Sequence, residues 1–147
     1  MIIADSFTVD APIERVWTLL QDIPKVATCI PNAEITEVVD PATYRAKVAV
    51  KVGPVSVSYK ATIRVERMDD AEHVAAFGVQ GDETRGRGGV RAKVTSQAFA
   101  EGDCTRVDLN ADAQISGIIA SVGGRLIESV AKKTIAEFAA NLTKLLT

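Results

Sequence analysis

The chain has 147 residues, which is the size of one ordinary domain, and we expect residues 1–147 to fold as a single unit. Hydrophobic residues make up 47% and charged residues 24% of the sequence, which is typical of a globular protein and excludes disordered or collagen-like classes. The formal net charge is −2, whereas a nucleic-acid-binding domain usually carries a strongly basic balance. We therefore predict no nucleic-acid partner.

The N-terminal segment has no features of an export signal, because it lacks a basic region and an apolar stretch and carries Asp5. No run approaches the roughly 18 apolar residues of a membrane-spanning helix. Cys29 and Cys104 lie far apart in sequence, and His73 is the one histidine, so we expect two reduced thiols, no metal site and no cofactor. These features predict a cytoplasmic protein, with membrane contact confined to the periphery.

The first predicted elements are one strand and two short helices. Alternating polar and apolar residues over residues 2–9 predict a half-buried strand. Asp10 and Pro12 signal a helix start, and apolar residues follow at helical spacing: Ile13, Val16, Trp17 and Leu20. Asp22 and Pro24 start a second short helix, which should end before Pro31.

A period of two over residues 33–115 predicts consecutive strands. One strand places five residues on one face: Tyr44, Ala46, Val48, Val50 and Val52. After a turn at Gly53 and Pro54, the next strand repeats the pattern: Val57, Tyr59, Ala61, Ile63 and Val65. Further strands are expected at about 73–80, 86–100 and 104–115. Short turns between consecutive strands predict an antiparallel meander of about six to seven strands.

The period returns to 3.6 after Gly117 and predicts a C-terminal helix of roughly 27 residues, about 40 Å long. Its apolar stripe consists of Ile119, Val122, Leu126, Val130, Phe138, Leu142 and Leu145. The predicted fold class is therefore α+β, with a curved antiparallel sheet wrapped around one long C-terminal helix.

The predicted inner face of the sheet consists mostly of valine and alanine, whose short side chains fill a wedge between sheet and helix poorly. An apolar ligand cavity is one interpretation. The alternative is that helix and sheet close together around aromatic residues: Trp17, Phe77, Phe99 and Phe138. The candidate cavity-lining residues are Trp17, Tyr44, Val48, Val50, Val57, Tyr59, Ala61, Ile63, Phe77, Val94, Leu109, Ala111, Ile119, Val122, Leu126 and Val130. The hydroxyl groups of Tyr44 and Tyr59 would need a partner from backbone, water or ligand.

No catalytic set is visible in the sequence, and we expect a protein that is not an enzyme. His73 has no recognisable nucleophile beside it, and carboxylates such as Asp108 and Asp112 fall on outward strand positions. The glycine-rich segment GDETRGRGG (81–89) lacks the Gly-Lys-Ser/Thr ending of a phosphate loop, so its glycines are interpreted as turn and bulge residues. A second interpretation is a basic rim at a cavity mouth, formed by Arg85, Arg87 and Arg91.

Four segments resemble the G-subunit family of carbon monoxide dehydrogenase, within the START-like (SRPBCC) helix-grip superfamily. They are FTVDAPIERVWTLLQD (7–22), CIPNAE (29–34), VAVKVGPVSVSYKATI (48–63) and SGIIASVGGRLIESVAKK (116–133). Asn32 stands where the family usually has glycine, and asparagine tolerates the positive φ that this position would require.

The resemblance implies a helix-grip domain with a deep apolar cavity and implies no catalytic residue. Members of this family are often associated with molybdenum-containing aerobic carbon monoxide dehydrogenase. The resulting hypothesis is an accessory subunit that binds and carries a lipid or an isoprenoid quinone. One alternative is a polyketide cyclase- or dehydratase-like enzyme that uses the same cavity. Another is an assembly or anchoring subunit that binds no ligand.

Overall fold

The computed structural model describes residues 1–147 and contains one seven-stranded antiparallel sheet. This architecture confirms the predicted meander and fold class. The spatial order of the strands is β1-β7-β6-β5-β4-β3-β2, so β1 and β2 form the two edges. The strands are β1 (Ile2–Val9), β2 (Ala33–Asp40), β3 (Thr43–Val52), β4 (Val55–Asp69), β5 (Val74–Glu83), β6 (Gly89–Glu101) and β7 (Cys104–Ile115).

Two short helices connect the edge strands β1 and β2. They are α1 (Ile13–Gln21) and α2 (Ile23–Thr28). The side chain of Asp22 caps α2 by accepting a hydrogen bond from the backbone N–H of Lys25 at 3.2 Å. Asn32 then adopts a φ of 61°, which confirms the positive φ expected there. None of the helices is both long enough and apolar enough to cross a membrane.

The C-terminal helix begins later than the sequence predicts. Ile118–Val122 form a short 3₁₀ helix. Gly123, with a φ of 92°, then interrupts the helical conformation before α3 (Gly124–Leu146) starts. A helix of 23 residues spans about 34 Å at about 1.5 Å per residue. Because α3 restarts after this break, its inner face differs from the predicted stripe near its beginning.

The strand pairings define which residues share the inner face of the sheet, the face that α3 covers. Paired residues point to the same side of an antiparallel sheet. Tyr44 pairs with Ile63 and Val52 with Val55, so the alternation predicted for β3 and β4 is confirmed. A bulge near Val65 shifts the register at the end of β4.

Most of the buried apolar residues, 16 of 23, form two separate clusters. The first cluster joins α1 and the end of α3 to the sheet and consists of Val9, Ala11, Val16, Trp17, Leu19, Leu20, Cys29, Ala75, Ala98, Val107, Leu142 and Leu146. The second cluster lies at the beginning of α3 and consists of Val52, Val57, Tyr59 and Ile119, with Ile127 and Val130 of α3 packed against it. The core is therefore divided between the two ends of the molecule.

The aromatic residues do not form one closed core. Trp17 is buried in the first cluster, and Phe77 and Phe138 pack against it. Phe99 lies on the outer face of the sheet, where the Arg106 guanidinium stands 4.5 Å from its ring centroid. Including Phe99 in a closed core was wrong, because it has the opposite strand parity to the inward Ala98.

Candidate functional site

The candidate site is the space between the two clusters. We call it the central gap and define it by inward strand residues that belong to neither cluster and are only half-buried: Ile63, Val79, Ala92, Val94 and Ala111. They face α3, whose closest backbone approaches to the sheet are at β1 and β3, towards opposite edges. The central gap is therefore a half-buried part of the inner face, with aliphatic side chains.

Small side chains keep the sheet side of the central gap wide. Ala61 pairs with Gly81, and Ala92 pairs with Ala113, so neither pair contributes anything larger than a methyl group. Ala61 and Ala113 are themselves buried. On the helix side, Ala131 and Ile135 are half-buried. Such a surface can hold an apolar group and offers little for a charged one.

A groove on the outer face of the sheet has a different character. Its volume is about 590 Å³, and it is lined by side chains of both charge signs, including Arg64, Glu66, Arg91 and Lys93. It does not match an apolar ligand.

A buried ion pair lies next to the second cluster and was missed by the sequence analysis. Glu83, at the end of β5, pairs with Tyr59 and faces inward, with its side chain 1% exposed. Its Oε1 accepts hydrogen bonds from Nε of Arg87 at 2.9 Å and from the backbone N–H groups of Arg85 and Arg87. The predicted strand ends near residue 80. Continuing the alternation through Gly81 would have placed Glu83 on the inner face.

The ion pair fixes the charge state of Glu83. Hydrogen bonds from Arg87 and from the backbone lower the pKa of this carboxyl group from 4.5 to about 2. Nη2 of Arg87 donates to the second oxygen, Oε2, at 3.3 Å. Both oxygens are thus occupied, and Glu83 stays ionised at neutral pH while it orders the turn between β5 and β6.

The hydroxyl groups of the two inward tyrosines differ in their hydrogen bonding. The hydroxyl of Tyr44 donates to the backbone carbonyl of Pro41 at 3.2 Å. The hydroxyl of Tyr59 makes no hydrogen bond within the protein, although the residue is only 6% exposed. Its ring lies over Gly81, where an added Cβ would stand 3.7 Å from Tyr59 Cδ1. Burial, and secondarily the charge of Glu83, raise the pKa of Tyr59, which keeps the hydroxyl protonated.

The glycine-rich segment is a structural junction rather than a phosphate-binding loop. Gly88 has a φ of 132° and Gly117 a φ of 86°, and their backbones lie so close that a Cβ on Gly88 would stand 2.6 Å from Gly117 Cα. The backbone N–H of Ile118 donates to the carbonyl of Arg87 at 2.8 Å. The turn between β5 and β6 is therefore fastened to the start of the 3₁₀ helix, and β6 follows it where a phosphate loop would need a helix.

The structure distributes the predicted cavity residues over three regions. The second cluster and its surroundings contain Val50, Val57, Tyr59, Ile119, Val122 and Val130. The first cluster and its surroundings contain Trp17, Phe77 and Leu109. Inward positions outside both clusters are Tyr44, Val48, Ala61, Ile63, Val94 and Ala111.

Leu126 was assigned to the cavity wrongly. It is 38% exposed and lies beside Gly53 in the turn between β3 and β4, while the neighbouring Ile127 packs on the second cluster. The break at Gly123 rotates the start of α3 relative to the predicted stripe, which explains the difference.

The predicted basic rim does not form as one surface. Arg87 is bound to Glu83, Arg85 is exposed in the turn, and Arg91 lines the groove on the outer face. His73 lies at the opposite end of β5 from Glu83 and packs edge-on against Trp17, with 5.5 Å between ring centroids.

Comparisons with known proteins agree with this geometry. A family model described as the G subunit of carbon monoxide dehydrogenase (CoxG) matches residues 6–147. A conserved protein from Geobacillus kaustophilus is 24% identical, with a TM-score of 0.88, and the match covers 99% of this chain and 95% of that one. The ZhuI aromatase/cyclase from Streptomyces sp. R1128 is 17% identical, with a TM-score of 0.70 and coverage of 99% and 93%.

A START superfamily protein from Mycobacterium smegmatis is also 17% identical, with a TM-score of 0.67 and coverage of 99% and 96%. These likenesses show a shared helix-grip fold. The search among curated proteins found no match.

Proposed function

Because this chain belongs to the CoxG family of carbon monoxide dehydrogenase subunits, we propose that it binds and carries a lipophilic small molecule, an isoprenoid quinone or a similar lipid. The observation that carries this proposal is the central gap, whose aliphatic walls are left half-exposed between two packed clusters. An aliphatic interior surface gains from being covered by another apolar surface.

The energetic argument uses the apolar surface that a ligand would cover. If about 300 Å² of apolar surface is removed from water, burial contributes roughly 7 kcal/mol at about 25 cal/mol per Å². Part of that gain is offset by the lost freedom of the ligand. The net gain therefore grows with the apolar area that the ligand covers, which favours large lipophiles such as prenyl chains over small ones.

The biological setting follows from the family. We propose that the chain serves as an accessory subunit of an aerobic carbon monoxide dehydrogenase-like molybdenum enzyme, in the cytoplasm and with peripheral contact to the membrane. An isoprenoid quinone is insoluble in water, so a soluble dehydrogenase needs an apolar container to exchange electrons with it. This chain would be that container.

Catalysis in the central gap is the main competing function, because ZhuI, which shares the fold, is an aromatase/cyclase. The inward carboxylate nearest to the gap argues against it. Both oxygens of Glu83 accept hydrogen bonds, and its pKa of about 2 makes it a poor general acid or base near neutral pH. We therefore propose carriage without chemical conversion.

The test combines ligand identification with a blocked gap. Native mass spectrometry of the purified protein, followed by organic extraction, should reveal a stoichiometric lipid or quinone. Ala111→Phe, on the inner face, should abolish that added mass, whereas Ala49→Phe, on the exposed outer face of β3, should retain it. A protein that stays ligand-free after incubation with quinone-containing vesicles would contradict carriage and favour an anchoring subunit.

A further inference from the structure

Tyr59 supplies an unused hydrogen-bond donor on the inner face of the sheet. The protein buries both of its tyrosines, but only the hydroxyl of Tyr44 has a protein partner. No fully buried side-chain oxygen or nitrogen lacks a hydrogen-bond partner. Because the oxygen of Tyr59 has no partner, it is not fully buried and a small molecule can reach it. A buried phenol normally finds a partner, and an outside molecule can supply this one.

The position of Tyr59 links it to the central gap. Residue 59 belongs to the second cluster, and the next two inward positions along β4, Ala61 and Ile63, lie in the direction of the first cluster. The phenol ring leans towards Gly81 on the neighbouring strand, with Cδ1 3.7 Å from where a Cβ of residue 81 would stand. The hydroxyl is therefore an accessible donor on the inner face, at the end of the sheet where the second cluster lies.

The groups around Tyr59 limit the chemistry of its partner. The charges of Glu83 and Arg87 compensate each other, and Glu83 already accepts four hydrogen bonds from Arg85 and Arg87, so this pair offers little attraction to a charged ligand group. Tyr59 itself remains a protonated donor, since its pKa is raised. The matching group is a neutral oxygen acceptor.

We propose that the hydroxyl of Tyr59 donates a hydrogen bond to a neutral carbonyl oxygen at the polar end of the ligand. The ligand then lies with its head at the second cluster and its apolar body in the central gap. This inference rests on the proposed function and narrows it to lipophiles with a carbonyl head.

The experiment compares two probes of similar shape, 2-methyl-1,4-naphthoquinone and 2-methylnaphthalene, by titration calorimetry. Tyr59→Phe should weaken binding of the naphthoquinone about 2- to 12-fold, which corresponds to the loss of one hydrogen bond. Its affinity for the hydrocarbon should not change. Thr62→Val is the control: it also removes a hydroxyl group from β4 but on the outer face of the sheet, so it should bind both probes like the wild type.

The outcomes separate the inference from the proposed function. If the wild type binds neither probe, the carrier function fails and the inference fails with it. If the wild type binds both and Tyr59→Phe weakens neither or both equally, the hydrogen bond is overturned while carriage stands. If Tyr59→Phe folds poorly, the hydrogen bond is tested instead by the infrared carbonyl band of naphthoquinone bound to the wild type. A shift to lower wavenumber than in hexane supports the bond, and no shift overturns it.

Discussion

Replacing Gly117 by alanine should destabilise the fold strongly, because this residue fastens the 3₁₀ helix to the turn between β5 and β6. Its φ of 86° and ψ of −151° fall in a region that only glycine adopts readily, so a side chain there costs about 1–3 kcal/mol. The new Cβ would also overlap the carbonyl oxygen of Arg87 and stand 2.6 Å from the carbonyl carbon. Relieving this overlap costs about another 1–3 kcal/mol.

The assay is urea unfolding at equilibrium, with Gly102→Ala as the control. Gly102 also has a positive φ, 64°, but an added Cβ there meets nothing within 4 Å. The control should lose only about 1–2 kcal/mol of unfolding free energy, against roughly 2–6 kcal/mol for Gly117→Ala. Equal losses in the two variants would refute the claim that close backbone contact, beyond the φ requirement, demands glycine at 117.

Two further predictions concern the buried ion pair and α3. The pKa of Glu83 is lowered from 4.5 to about 2 in the fold, so its contribution to stability is complete above pH 4.5 and is lost as the pH falls towards 2. Thermal melts between about pH 2 and pH 7 should show that Glu83→Gln is less stable than the wild type at pH 7. The difference in melting temperature should narrow as the pH falls below 4.5, and a constant difference would contradict the lowered pKa. Leu142→Ala should cost about 2–5 kcal/mol, since Leu142 is fully buried. The exposed Leu145→Ala should cost under about 0.5 kcal/mol in the same urea assay, and similar losses would disprove the assigned face of α3.

The sheet could be predicted well from the sequence because each strand carries its own alternating pattern. The turn at Gly53, the inward series on β3 and β4, and the positive φ of Asn32 all follow from local residue chemistry. The same parity rule, carried further, would have placed Phe99 outside and Glu83 inside. Glu83 was missed because the predicted strand ended too early, and Phe99 was misplaced because the alternation was not applied to it.

The start of α3 could not be predicted from periodicity. Ile118–Val122 have the composition of a helix, but the chain there adopts a 3₁₀ helix that is held by the contact between Gly88 and Gly117. That contact joins residues about 30 positions apart, so no local window contains it. The exposed position of Leu126 is a consequence of this long-range contact.

The division of the core into two clusters separates the residues that hold the fold from those that would meet a ligand. Single exchanges among the half-exposed walls of the central gap alter its width while the buried residues at both ends keep their packing. Stability then stays above the threshold that natural selection enforces. Evolution can therefore change the shape of this inner face in small steps, each of which leaves a folded protein.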